Sequence, residues 1–291
     1  MGTRPVEQRA LAAAREVATE CGLSCEQAAI VHAGSNVLIH LRPAPVAARV
    51  MAGTVVLHDD PRRWLQREVA VLRFLEPSGS AVAPSPLIAP GPYLRDGLWM
   101  TFSEWLEHEA QSGLPPQAES LGLALRDLHA QLSSFAGELG SFRDVHDDIE
   151  RLLGQLRVGP ALGSERLEEL RESLRALRDT VFATTLPTQA LHGDASLSNL
   201  LHAPRGLVWN DFEDTFRGPV HWDLAGYVMS LRARGADASF VARALEAYGW
   251  GEEQELLPFV PAHDLYGEIW QLYDAQRRAD GVEDAGRASE D

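Results

Sequence analysis

Apolar positions near the beginning of the chain follow first a helical period and then the alternation of strands. Residues 6–20 predict an amphipathic helix, and residues 28–32 and 37–42 predict two strands separated by the turn residues Ala33-Gly34-Ser35-Asn36. A third strand is predicted at Val46–Met51, after a segment with two prolines. Because the connections are short, these strands are expected to form an antiparallel meander.

A helix and a further strand follow the meander. Asp60 and Pro61 are residue types that favour the first turn of a helix. One face of this helix carries residues at spacings i, i+4, i+7 and i+11, namely Trp64, Glu68, Val71 and Leu75. Residues 98–105 then predict a strand, and its end is the expected boundary between two lobes.

The second part of the chain is mostly helical. Residues 121–132 keep a helical period, and another amphipathic helix is indicated by apolar residues spaced alternately three and four apart, Leu167, Leu170, Leu174, Leu177 and Val181. Residues 200–202 and 207–209 flank a turn and predict a hairpin. Helices resume after Trp222, and the polar residues 279–291 are expected to be disordered.

These elements predict an α+β fold in two lobes. Residues 1–105 are expected to form an N-terminal lobe around a small antiparallel sheet, and residues 106–278 a mostly helical C-terminal lobe. The length of 291 residues suits about two domains or one large two-lobed unit.

Composition and charge narrow the possible functions. The net charge of −16 argues against nucleic-acid binding, which needs a basic surface. An acidic protein can attract a cationic substrate, although acidity also favours solubility alone. No apolar run approaches the roughly 20 residues of a membrane span, and the N-terminus lacks the apolar centre of a signal peptide, so a cytoplasmic location is expected. Cys21 and Cys25 are too few for a zinc site.

The residues that indicate chemistry lie around the predicted hairpin. Asp194 and Asn199 are five positions apart before it, and Asp211 follows its far end. Because a hairpin returns the chain to its start, these three side chains can meet at one place. Phosphoryl transfer needs such a set, since one carboxylate can position the attacking hydroxyl while carboxylate and amide oxygens hold Mg²⁺.

The pattern His-Gly-Asp-x-x-x-x-Asn, a hairpin and Asp-Phe-Glu resembles the catalytic and metal loops of the aminoglycoside phosphotransferase family. This family includes choline and homoserine kinase relatives and is similar in fold to protein kinases. The resemblance implies a two-lobed protein-kinase-like fold that uses ATP and Mg²⁺. It further implies that Asp194 is the catalytic base and that Asn199 and Asp211 are Mg²⁺ ligands. The alternative is a polar turn beside a hairpin.

The third strand and the next helix carry matching features. Ala47 and Arg49 are separated by one residue and therefore share a strand face. The resemblance implies that Ala47 leaves room for adenine and that Arg49, where the family more often has lysine, holds the α- and β-phosphates. Glu68 lies on the apolar stripe of the helix and needs a partner, for which Arg49 is the natural candidate. A surface arginine and a solvated glutamate are the alternative.

Four further residues match the family more weakly. Ser35 lies in the turn that corresponds to the nucleotide-covering loop, although a plain hairpin turn explains it equally well. Ser103 and Trp105 match the hinge that meets the adenine edge through its backbone. Asp223 is expected to have a structural role, capping its helix and bracing the catalytic loop.

The acceptor side is the least defined part of the sequence. Glu213 and Asp214 follow the metal loop directly, and Glu268 and Trp270 belong to a C-terminal region rich in acids and aromatics. Such residues suit a hydroxylated amine or sugar, but a core stripe with outward acids explains them equally well. Only eleven residues separate Asp211 from Asp223, too few for a platform that binds a peptide. The acceptor is therefore expected to be small, and cationic or neutral.

The function expected from these observations is transfer of the γ-phosphoryl group of ATP, with Mg²⁺, to a hydroxyl of a small molecule. Candidate acceptors are an aminoglycoside, an amino sugar, a sugar or an amino alcohol. The alternative from another class is a nucleotide-binding pseudoenzyme or regulatory module. The sequence does not distinguish a role in antibiotic resistance from a metabolic role, or ATP from GTP as the phosphoryl donor. The oligomeric state also stays open.

Overall fold

A computed structural model describes residues 5–57, 59–109, 113–115 and 117–287 of the chain. Its α-helices are α1 Val6–Glu20, α2 Pro61–Leu75, α3 Ala118–Leu132, α4 Phe142–Gln155, α5 Ser164–Thr180, α6 His221–Ala233, α7 Ala238–Tyr248 and α8 Val260–Arg287. Its strands are β1 Ala29–Ala33, β2 Asn36–His40, β3 Val46–Met51, β4 Tyr93–Arg95, β5 Leu98–Glu104, β6 Gly140–Ser141, β7 Gln189–Ala190, β8 Leu200–Ala203, β9 Gly206–Trp209 and β10 Phe216–Gly218.

The largest sheet is antiparallel and has the strand order β1-β2-β3-β5-β4. The predicted meander is therefore present, with β1 one residue later and β2 one residue earlier than the pattern indicated. Directly paired residues share a face. Arg49 pairs with Leu38 and with Thr101, so these three side chains lie on one face of the sheet.

The opposite face of this sheet packs against helix α1. Alternate residues of β2, β3 and β5, among them Ile39, Val50 and Phe102, are buried in one hydrophobic cluster with α1. The side of α1 that joins this cluster is almost entirely alanine, namely Ala10, Ala13, Ala14 and Ala18, with Val17. These small side chains allow the helix backbone to lie close to the sheet.

A second and larger hydrophobic cluster holds the C-terminal helices together. Of the leucines of α5 predicted to share one face, Leu167, Leu170 and Leu174 are buried in it, and Leu177 is partly buried against it. Helix α2 also contributes Val71 and Leu75 to this cluster, although it precedes β5 in the chain. This helix therefore packs on the helical part of the protein while its Glu68 side chain reaches Arg49 of the sheet.

The α+β, protein-kinase-like fold expected from the sequence is confirmed, with a small antiparallel sheet followed by a mostly helical region. The lobe boundary at residue 105 stays a prediction. No helix in the described part of the chain is long and apolar enough to cross a membrane.

The end of the chain differs from the sequence expectation. Helix α8 continues to Arg287, so residues 279–287 are helical rather than disordered. Once a helix has formed, each further residue adds a hydrogen bond at little cost, and polar residues can extend it. The last four residues of the predicted tail lie outside the described residues.

Candidate active site

Asp223 supports the catalytic loop that was predicted at His192 to Asn199. The Asp223 carboxylate accepts hydrogen bonds from the backbone N–H groups of His192 and Gly193, at 2.8 and 3.0 Å, and contacts His129 Nε2 at 2.9 Å. Burial alone would raise the pKa of Asp223, but the contact with His129 and the loop N–H groups hold it below its usual value. The predicted bracing of the loop is thus present.

The predicted capping role of Asp223 is wrong. Helix α6 begins at His221, and the residue before it, Val220, occupies the N-cap position. Asp223 therefore lies inside the first turn, where its carboxylate turns away from the helix N–H groups toward the loop. The helix dipole favours an acid in the first turn, and here the carboxylate of that acid accepts hydrogen bonds from the backbone N–H groups of the loop.

A glycine joins the catalytic loop to the segment after the hairpin. Gly193 has a φ of +91°, and a Cβ atom added there would lie 1.9 Å from the carbonyl oxygen of Asp214. No side chain fits at that distance, so the contact depends on glycine. The close approach brings Asp194 next to the segment that carries Asp211.

Asn199 connects directly to Asp194. Its Nδ2 donates to the Asp194 backbone oxygen at 2.9 Å and to Asp194 Oδ2 at 2.8 Å. Both amide hydrogens are thereby directed at Asp194, which leaves the Asn199 Oδ1 oxygen as a possible metal ligand. Burial raises the pKa of Asp194, and the nearby Asp211 charge adds to this shift.

Asp211 lies at the far end of the hairpin in a left-handed backbone conformation, with a φ of +64°. The Asn210 N–H donates to the Asn199 carbonyl oxygen at 2.8 Å, which closes the hairpin as predicted. The Asp211 Oδ1 atom is buried and has no hydrogen-bond partner among the described residues. A buried carboxylate oxygen without a donor is costly unless a cation binds it. Asp211 and Asn199 therefore fit a divalent metal ion.

Arg49 is held between two carboxylates. Its Nη2 lies 2.5 Å from Glu68 Oε2, which confirms the predicted ion pair, and its Nη1 lies 2.6 Å from Glu213 Oε2. The second Glu213 oxygen accepts from Asn36 Nδ2 at 2.8 Å. The chain contains 26 arginines and no lysine. The forked guanidinium of Arg49 contacts Glu68 and Glu213 at once.

Glu213, which was expected to face the acceptor, lines the same cavity as Asp194, while its carboxylate contacts Arg49 and Asn36. Both of its carboxylate oxygens are engaged, one by Arg49 and one by Asn36, and the side chain is buried. Burial raises the pKa of Glu213 to about 7 against the attraction of Arg49. Asn36 is fixed in turn by a 2.9 Å hydrogen bond from Thr54 Oγ1. The sequence offered no signal for Asn36 and Thr54 beyond their polar character.

The expected nucleotide-base region lies at the end of the sheet. Ala47 is paired with Ser103 and with His40, so all three share the face that carries Arg49. The Trp105 ring stacks on His40, with 4.0 Å between ring centroids and 12° between planes. The backbone N–H of Trp105 donates to the Pro45 carbonyl oxygen at 2.8 Å. The backbone contact of this hinge with adenine stays a prediction, and the Trp105 backbone N–H is already paired within the protein.

A cavity of about 330 Å³ opens beside Asp194. Ser35 and Asp211 line one side of it, and aromatic residues of α6 and α8 line the other, including Trp222, Tyr266 and Trp270. The predicted placement of Ser35, Asp214 and Trp270 in a common site agrees with this geometry. The sequence did not indicate His263, which stacks on Trp222 with 3.8 Å between ring centroids.

Two acids of helix α8 are engaged by arginines. Both Glu268 oxygens accept hydrogen bonds from Arg166 of helix α5, at 2.9 and 2.6 Å, and Glu268 is not among the residues that line the cavity. The Asp274 carboxylate accepts from Arg277 and from Arg278, each at 2.7 Å. Helical periodicity could not reveal these partners, because they come from a distant helix or from the next turn.

The described residues that line this cavity include no arginine. Its one histidine, His263, donates Nε2–H to the Trp222 carbonyl at 2.9 Å, and burial lowers its pKa to about 4. It is therefore neutral at pH 7. The fixed charge around the cavity is negative, as the sequence had suggested.

Comparison with known proteins decides the family. Residues 46–259 match the model of the phosphotransferase enzyme family, which is more than half of the chain. The chain belongs to this family. No curated protein matches it. The family match confirms the resemblance stated from the catalytic motif and makes the chain a small-molecule phosphotransferase.

Solved structures with the same fold include enzymes of this kind. Choline kinase LicA from Streptococcus pneumoniae is 17% identical, with a TM-score of 0.65 over 95% of this chain and 96% of that one. The GDP and kanamycin complex of APH(2″)-IIia is 14% identical, with a TM-score of 0.64 over 96% and 97%. Amicoumacin kinase hAmiN is 11% identical, with a TM-score of 0.65 over 91% and 88%. At these identities the likeness shows the fold alone.

The phosphotransferase match ends before helix α8 and begins after β2. Two walls of the cavity therefore lie outside it, namely the turn with Ser35 and the helix with Tyr266 and Trp270.

Proposed function

We propose that this phosphotransferase transfers the γ-phosphoryl group of ATP, with Mg²⁺, to a hydroxyl group of a small molecule. The observation that carries the proposal is the buried Asp211 Oδ1 without a donor, in a cavity that also exposes Asp194. Solved relatives in complex with GDP and kanamycin, and with AMP-PNP and Ca²⁺, support nucleotide and divalent-metal binding at such a site.

Asp211 and Asn199 would hold the metal ion through carboxylate and amide oxygens, the ligands that Mg²⁺ prefers. When bound, the ion neutralises charge on the β- and γ-phosphates. The hydrogen bonds from Asn199 Nδ2 to Asp194 keep the Asn199 oxygen turned away from that carboxylate. The two loops are thereby oriented before any ligand arrives.

Asp194 would accept the proton of the attacking hydroxyl. Its carboxylate lies at the cavity wall, fixed by Asn199, and burial raises its pKa above the ordinary aspartate value. A raised pKa makes a carboxylate a better proton acceptor near neutral pH. The assignment of Asp194 to the acceptor hydroxyl, and not to the nucleotide, comes from the family resemblance, and Asp194 lines the same cavity as Trp222 and Tyr266.

Arg49 would contact the nucleotide phosphates. In the structure Glu68 and Glu213 both contact its guanidinium, so two carboxylates share one cation. Phosphate oxygens can replace Glu213 at Nη1 while Glu68 keeps the side chain in place.

Nucleotide binding is expected to depend on Mg²⁺. Calorimetric titration with ATP should show binding with Mg²⁺ and much weaker binding with EDTA. Asp211→Asn should lower the affinity in Mg²⁺ by at least about tenfold, since loss of even an outer-shell partner of a metal costs this much. Asp179→Asn, an exposed acid on α5, is the matched control. Equal affinity with and without the metal, for ATP and for GTP, would refute the assignment.

Arg49 and Glu68 are expected to act as a unit. Arg49→Ala and Glu68→Ala should each weaken ATP binding, and the double variant should deviate from the sum by about 0.5–3 kcal/mol. Arg49→Ala combined with Glu138→Ala, an exposed acid bound to Arg63 and Arg67, should be additive. A cycle that closes to zero for Arg49 and Glu68 would separate the two residues.

The acceptor is proposed to be a small hydroxylated molecule, cationic or neutral, in a protein located in the cytoplasm. All four polar positions expected of an active kinase, Asp194, Asn199, Asp211 and Arg49, are present, which disfavours a pseudoenzyme. A panel of aminoglycosides, amino sugars, sugars and amino alcohols, followed by ADP release, tests the acceptor class. ADP release without dependence on any acceptor would favour simple hydrolysis of ATP.

A further inference from the structure

Helix α8 carries two groups of side chains on one face. Tyr266 and Trp270, in its first half, line the cavity beside Asp194. Asp274 and Arg277 follow four and seven positions after Trp270, and such spacings place side chains on the same face of a helix. A rise of about 1.5 Å per residue puts Arg277 about 10 Å beyond Trp270 along the helix axis. The face of α8 that lines the cavity therefore continues to Arg277.

Arg277 contacts the turn between β1 and β2, which consists of Gly34 and Ser35. Its Nη2 donates to the Gly34 carbonyl oxygen at 3.3 Å. The same guanidinium lies over Gly53, where an added Cβ atom would be 3.1 Å from Arg277 Nε and 3.1 Å from the Ser35 carbonyl oxygen. The Gly53 N–H donates to that oxygen at 2.6 Å. Because residue 53 has no side chain, the arginine, the segment after β3 and the β1–β2 turn meet at one place.

A carboxylate of the same helix orients Arg277. The Arg277 Nη2 and Nε atoms donate to Asp274 Oδ1 at 2.7 and 3.3 Å. Arg278 Nε donates to the other oxygen, Asp274 Oδ2, at 2.7 Å. The side chain of Arg277 is 25% exposed and that of Arg278 is 60% exposed. The hydrogen bond to the turn thus comes from the more buried of the two arginines, where water competes less with it.

The β1–β2 turn belongs to the nucleotide side of the proposed site. Ser35 lines the cavity. Asn36 follows it directly and donates to Glu213, which also contacts Arg49. A turn at the tip of a sheet has few packed neighbours and opens easily unless other elements hold it. Arg277 supplies such a contact from the C-terminal helix.

We propose that Arg277 is a positioning residue that fastens the β1–β2 turn to helix α8 and so holds the turn over the bound nucleotide. This proposal rests on the proposed phosphotransferase function, in which the turn covers the nucleotide. Because the turn is ordered in advance, less conformational entropy is lost when the nucleotide binds. The contact also joins the two sides of the cavity, since the helix that carries Tyr266 and Trp270 holds the turn as well.

Hydrogen–deuterium exchange of the ligand-free protein tests the contact itself. Arg277→Ala should speed exchange of the Gly34 and Gly53 amides, both hydrogen-bonded at this turn, by about three- to tenfold, the factor of one ordinary hydrogen bond. Asp274→Ala should speed the same amides, because it removes the carboxylate that orients Arg277. Arg278→Ala is the matched control, since it takes an arginine from the same carboxylate and leaves the contact with the turn in place.

Calorimetry with AMP-PNP and Mg²⁺ tests the positioning role. Arg277→Ala should weaken binding by about three- to tenfold, the same factor of one ordinary hydrogen bond. Arg277→Lys should restore most of the affinity, because an ammonium group has three donors and can serve both Asp274 and the Gly34 carbonyl. A role that depended only on the shape of the arginine side chain would not be restored by lysine. Arg278→Ala should bind AMP-PNP as the wild-type protein does.

The outcomes separate this contact from the catalytic assignment. Faster exchange at the turn and weaker AMP-PNP binding in Arg277→Ala, with neither change in Arg278→Ala, would support the proposal. If Arg277→Ala does not fold, Asp274→Ala decides in the same way. Unchanged exchange or unchanged AMP-PNP affinity in Arg277→Ala would overturn the proposal and leave the phosphotransferase function standing.

Two further results would also overturn the proposal. An equal effect in Arg278→Ala would show that positive charge near Asp274 matters and the contact with the turn does not. A wild-type protein without Mg²⁺-dependent AMP-PNP binding would refute the proposed function together with the nucleotide role of Arg277. The exchange measurement keeps these cases distinct, because it uses no ligand.

Discussion

Replacing Asp194 with asparagine is expected to lower kcat by about 10²- to 10⁴-fold, the usual contribution of a positioned general base. Asparagine has nearly the same shape but cannot accept the proton of the acceptor hydroxyl. Its amide can still accept the hydrogen bond that Asn199 Nδ2 now donates to Asp194 Oδ2. Binding of ATP and Mg²⁺ should therefore be largely retained, because neither is assigned to Asp194.

This result is checked by steady-state kinetics with an acceptor found in the panel, together with calorimetry of ATP binding. Asp179→Asn should behave as the wild-type protein in both measurements. Retained turnover in Asp194→Asn would contradict the role of general base. Loss of folding in this variant, seen as a shifted melting curve, would instead make Asp194 a structural residue.

Removal of the Asp223 carboxylate is expected to destabilise the protein by about 3–5 kcal/mol, as for other broken buried charge networks. Asp223→Ala leaves the His192 and Gly193 N–H groups and His129 without their acceptor. The side chain is buried, so water cannot easily replace it. Activity should fall as well, since the loop that carries Asp194 loses its support.

Chemical denaturation measures this change in the free energy of unfolding. Asp237→Ala is the control, because Asp237 is an exposed cap of helix α7 and its loss should cost only about 0.5–2 kcal/mol. Folding lowers the pKa of Asp223, so its stabilisation is present at neutral pH. It should disappear as pH falls below the ordinary aspartate pKa of about 3.9. A cost no larger than that of Asp237→Ala would contradict the bracing role.

The sequence predicted the fold wherever local pattern decides structure. The third strand has the predicted bounds Val46–Met51, and three leucines of α5 are buried as their helical spacing indicated. The pairing of Arg49 with Glu68 was also predictable, since a carboxylate on an apolar helical stripe needs a partner. Each of these predictions rests on residues that lie close together in the chain.

The sequence did not predict contacts made by residues far apart in the chain. Glu213 was assigned to the acceptor because it follows the metal loop, but Arg49, 164 positions earlier, engages it. Glu268 was grouped with the site by its helix, but Arg166 binds it. Such contacts follow from the tertiary arrangement of helices.

Phosphorus-31 NMR of the protein with ATP, Mg²⁺ and the acceptor panel tests the central claim most directly. The account predicts a new phosphomonoester resonance that grows in step with ADP in the presence of at least one hydroxylated acceptor. The resonance should be absent with Asp194→Asn and without Mg²⁺. Nucleotide that binds but yields neither ADP nor a phosphomonoester with any acceptor, or inorganic phosphate as the sole product, would contradict the proposed phosphoryl transfer.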